Sequence, residues 1–60
     1  MGDILRKFEN RLSAELELSL AEVAFWNDLV ARGKVKPEDV AGYVDNENRL
    51  IATKRYLLGL

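Results

Sequence analysis

The stretch Arg32-Gly33-Lys34-Val35-Lys36-Pro37-Glu38-Asp39 constrains the fold more than any other part of the sequence. Gly33 suits the left-handed backbone that closes a helix. Pro37 suits the first turn of a new helix, where its missing N–H is harmless. Glu38 and Asp39 then place negative charge at the positive end of that helix's dipole. One helix is therefore expected to end near Arg32 and another to begin near Pro37. A link this short makes the two antiparallel neighbours. The expected fold is all-α and a single domain spanning residues 1–60. It is an antiparallel helical hairpin, with a long helix over about 3–32 and a second over about 37–58, assembling into a dimeric helical bundle.

Helical spacing on both sides of the turn supports this division. At about 100° per residue, the first segment carries two apolar stripes. One holds Leu5, Phe8, Leu12, Leu16, Leu20, Val23, Trp26 and Val30 and runs its whole length. The other, in its C-terminal half, holds Ala14, Leu18, Ala21, Phe25 and Leu29. Ser19-Leu20-Ala21-Glu22 also reads as a capping box able to start a fresh helix, but the unbroken first stripe favours one long helix. In the second segment Tyr43, Leu50 and Leu57 share one heptad position, flanked by Val44, Ile51 and Leu58. Val40, Glu47 and Lys54 share another, which puts two charged residues inside an apolar stripe.

Folding the hairpin about its turn pairs Leu29 with Val40, Phe25 with Val44 and Leu18 with Ile51. It also brings Glu15 towards Lys54. This fits the charge distribution, since residues 15–28 are acidic without a basic residue and 49–60 basic without an acidic one. On this reading the second stripe is the intramolecular face and the first stripe is left uncovered. Leu5, Phe8 and Leu12 project past the end of the second helix.

A chain of 60 residues buries only about 60% of its unfolded surface, and such chains often need a staple. With no cysteine and no histidine, disulfides and thiolate or histidine metal sites are ruled out. Another protein chain is then the expected staple. The interface is expected on the first stripe, Leu5 to Val30, because monomers seldom expose so long an apolar patch. Glu47, Lys54, Arg55 and Tyr56 are the candidate register-setting or target-contacting residues. Glu47 and Lys54 either snorkel to water or pair with counterparts across a two-fold axis.

The side-chain inventory argues against catalysis. Ser13, Ser19, Thr53, Tyr43 and Tyr56 have no histidine to activate them, and Glu15, Glu17 and Glu22 lack the histidine partners of helical di-metal sites. No cofactor is expected. A net charge of −1, with only Arg49, Lys54 and Arg55 clustered, makes nucleic acid an unlikely partner. The stretch Asp3 to Leu12 is short and mixed in charge, so a membrane surface is also unlikely. No apolar run is long enough to span a bilayer, and a cytoplasmic location is expected. Leu16-Glu17-Leu18-Ser19-Leu20, with Glu47-Asn48 and Gly59-Leu60, resembles the phycobilisome-degradation adaptors in a few letters. The second helix is too short for that family, and none is assigned. The expected function is a small non-enzymatic adaptor, regulator or inhibitor that binds itself and a larger protein. The alternatives are a small dimeric nucleic-acid-binding regulator and a minor structural subunit of a larger assembly.

Overall fold

The computed structural model describes residues 2–60, folded as two antiparallel α-helices. Helix α1 spans Gly2–Ala31 and α2 spans Pro37–Leu58. Both boundaries at the turn follow from its residues. Gly33 adopts φ 72; its N–H donates to the Val30 carbonyl at 3.0 Å, and the Lys34 N–H donates to the Leu29 carbonyl at 2.9 Å. These two bonds satisfy carbonyls that the end of α1 would otherwise leave without donors. Gly59 repeats the device at the end of α2, with φ 76 and bonds from Gly59 to Tyr56 and from Leu60 to Arg55. Pro37 opens α2, and Lys36 occupies the N-cap position with extended backbone and no side-chain capping bond.

Helix α1 is unbroken at Ser19. Ser19 lies in the buried seam, where its Oγ accepts a hydrogen bond from Lys54 Nζ at 2.7 Å. Packing against α2 on both sides of this residue keeps the backbone helical, overriding the capping signal.

The core is small: Leu12 and Leu16 of α1 against Val40 and Ile51 of α2. Val23, Trp26, Leu29 and Val30 are half-buried, as are Val44 and Leu58. This reverses the expected assignment of faces. The first stripe is the one α2 covers, with Leu12 and Leu16 only 7% and 8% exposed. The second stripe is largely in solvent, with Leu18 70% and Phe25 54% exposed. Leu18 and Phe25 therefore do not form the core with Ile51 and Val44; of the three expected pairs, only Leu29 with Val40 keeps both members at least half-buried. The cause is the apolar area at stake. The first stripe offers large side chains at nearly every turn, whereas the second alternates large residues with Ala14 and Ala21. Burying the first removes more apolar surface from water.

The molecule measures 48 × 15 × 14 Å, with a radius of gyration of 14.3 Å. A compact chain of this length would have a radius of about 10 Å. The excess comes from α1, whose 30 residues outrun the 22 of α2.

Candidate interaction surface

Among the described residues there is no pocket and no acidic cluster placed to hold a metal ion. No helix is long and apolar enough to cross a membrane. The exposed side chains form two apolar regions.

The first is the overhang. Residues 2–10 are all exposed, which is about two and a half helical turns. Ile4, Leu5 and Phe8 stand in solvent here. Leu12, expected to project with them, is instead buried under the end of α2.

The second region is one flank of the hairpin. Tyr43 stacks on Trp26 across the two helices, with ring centroids 5.6 Å apart and planes 15° from parallel. Phe25 meets the edge of the same indole at 5.3 Å. These three aromatics mark one side of the molecule. Leu18 lies seven residues before Phe25, and Leu50 and Leu57 lie seven and fourteen after Tyr43, so each continues the same face along its helix. All five of Leu18, Phe25, Tyr43, Leu50 and Leu57 are exposed.

The residues expected to form an interface are therefore divided. Leu5, Phe8 and Leu20 are exposed. Leu12 and Leu16 belong to the intramolecular core, and Val23, Trp26 and Val30 are partly covered within the hairpin. Of the polar candidates, Arg55 and Tyr56 are exposed and Glu47 is half-buried. Lys54 is part-buried and committed within its own chain, donating to Ser19 Oγ and to the Glu15 backbone carbonyl at 3.3 Å. Glu15 and Lys54 do meet, but the Glu15 carboxylate turns to Arg11 Nε at 3.3 Å. That exposed pair and Arg32–Asp28 at 3.0 Å each contribute little, since solvent screens them. The flank carrying Leu18 and Phe25 was missed as an interface. Its available signal was the alternation of Leu18 and Phe25 with Ala14 and Ala21, at spacings of three and four residues.

Among the described residues, one buried side-chain polar group has no partner: the Trp26 indole Nε1 makes no hydrogen bond. Compared with known proteins, the chain matches no protein-family model, no curated protein and no solved structure.

Proposed function

We propose that this protein is a small non-enzymatic adaptor, regulator or inhibitor that works in the cytoplasm as a homodimer and presents helical apolar surface to a larger protein. The observation that carries the reading is the amount of large apolar side chain left in solvent on a chain this short. Contiguous apolar surface beyond a few hundred Å² marks interaction sites on soluble proteins. Its division into a flank and an overhang suits two partners: the flank for self-association, and Ile4, Leu5 and Phe8 for the target. An amphipathic helix end with spaced apolar anchors is a common way to enter a groove on a larger protein.

Two measurements test this. Light scattering across a dilution series is expected to give a dimer mass; a fully helical monomer at about 100 μM, a concentration at which even weak complexes populate, would sink the homodimer. A photo-crosslinking residue placed at Phe8 in cells is expected to capture one discrete larger protein, with the adduct lost when Leu5 is changed to Asp. Adducts to the chain itself alone would refute the adaptor role.

A further inference from the structure

We infer that the overhang of each copy of this chain lies on the flank of a second, antiparallel copy, against its Phe25, Trp26 and Tyr43. The inference rests on the homodimer reading above and adds what covers the overhang until a target takes it.

Two rows run side by side along α1, each at seven-residue spacing. The outer row is Ile4, Arg11, Leu18 and Phe25, all exposed. The inner row is Phe8, Glu15, Glu22 and Leu29, of which Glu15 and Leu29 are half-buried at the edge of α2. Together the rows alternate four- and three-residue steps, which keeps them within an arc of about 100°. Phe25 meets Trp26, and Trp26 stacks on Tyr43, so the rows belong to the flank and continue unbroken into the overhang.

These rows fit their own reverse. A two-fold interface is self-complementary: if residue i meets j, then j meets i. About a centre midway between Glu15 and Leu18, Phe8 falls opposite Phe25 and Ile4 opposite Leu29. Arg11 falls opposite Glu22, which makes no ion pair among the described residues of its own chain. Arg11 bonds Glu15 through Nε alone, so the two ends of its guanidinium fork remain for Glu22. Glu15 opposite Leu18 is the least favourable pairing, and there the carboxylate keeps Arg11 of its own chain at 3.3 Å.

The second helix supplies an independent check. Lys54 reaches both Glu15 and Ser19, which sets the centre of the α1 rows level with Lys54 on α2. Leu50 and Leu57 stand on either side of that level, so the same two-fold sets Leu50 of one copy against Leu57 of the other. Tyr43 lies level with Trp26, past the point where the other copy's α2 ends, and there it meets the overhang that carries Phe8. Flank and overhang thus form one interface, which leaves Leu5 outside. The area fits such an interface. The chain exposes 4954 Å², whereas a compact protein of its 6.8 kDa exposes about 4,000 Å². The excess is close to the roughly 800 Å² that each partner covers in a standard interface.

Because the chain has no cysteine, introduced cysteines report the register. Arg11→Cys combined with Glu22→Cys is expected to give a disulfide-linked dimer under mild oxidation, and either substitution alone is not. Positions 11 and 22 lie about 16 Å apart along one helix, too far for a bond within a chain, and each is as far from its own counterpart in the other copy. Charge reversal gives a second readout by sedimentation equilibrium, with circular dichroism to check that each variant stays helical. Glu22→Arg is expected to raise the dimer dissociation constant about tenfold by facing Arg11, as like charges across an interface do. Adding Arg11→Glu is expected to bring it back to within about threefold. A dimer in which the paired cysteines stay unlinked, or in which Arg11→Glu brings no recovery, overturns this arrangement while leaving the homodimer reading in place. A helical monomer overturns both.

Discussion

At the scale of single residues, the seam of the hairpin turns on Ser19 and Lys54. An ammonium drawn partly out of water needs acceptors, and it finds the Ser19 hydroxyl and the Glu15 carbonyl. Ser19→Ala is expected to cost about 1.5–3 kcal/mol, the range for a hydrogen bond to a charged group. In a Lys54→Met background the same change should cost much less. Urea unfolding of the four chains at one protein concentration gives the coupling; additive costs would mean that the bond contributes nothing. Trp26 presents the opposite case. Its buried N–H has no partner, a cost of about 1–3 kcal/mol. Trp26→Phe removes that donor while giving up some stacking on Tyr43 and some buried area. The two effects oppose each other, and the expected net change is within about 1 kcal/mol. A loss of several kcal/mol would show that the indole N–H is satisfied in solution, by water or by a partner.

At the scale of elements, the helix boundaries were legible because Gly33, Pro37 and Gly59 restrict the backbone directly. Lys36 is the weak point: it holds the N-cap position without a capping side chain. Lys36→Ser should stabilise the protein by about 1 kcal/mol, read as a raised urea midpoint with an unchanged slope. Which face of α1 turns inward was misread, since over residues 14–30 both stripes keep helical spacing. The choice depends on comparing two buried areas, and spacing does not report that comparison. Pairing by distance from the turn fixed the level of each residue along the hairpin, bringing Glu15 to Lys54, but not the rotation of α1 about its axis. Ser19 carried the missing information. A small polar residue midway along the long apolar stripe marks where α2 brings in a cation, yet locally it reads as a helix start.

At the scale of the whole molecule, the four buried apolar side chains among the described residues are a small core for two helices of this length. Folding and association are then expected to be linked, as in obligate dimers. The melting temperature should rise by several degrees as protein concentration increases from about 5 to 500 μM, because mass action favours the associated state. Circular dichroism melts across that range provide the check, and a concentration-independent midpoint would mean that the hairpin is stable alone. The overhang was legible from the unequal lengths of the helical patterns, although the end of α2 reaches further along α1 than expected and covers Leu12. The exposed flank was not, because its identification depends on the rotation of α1.

The overhang has a consequence for how a partner can take hold of it. Residues 2–10 are all exposed and extend about 13 Å at 1.5 Å of rise per residue, with no second helix of the hairpin beside them. A groove can receive Ile4, Leu5 and Phe8 without displacing any element of the hairpin. The length of this handle is set by how far α1 outruns α2, so an α2 extended past Leu58 would close it while leaving the turn unchanged.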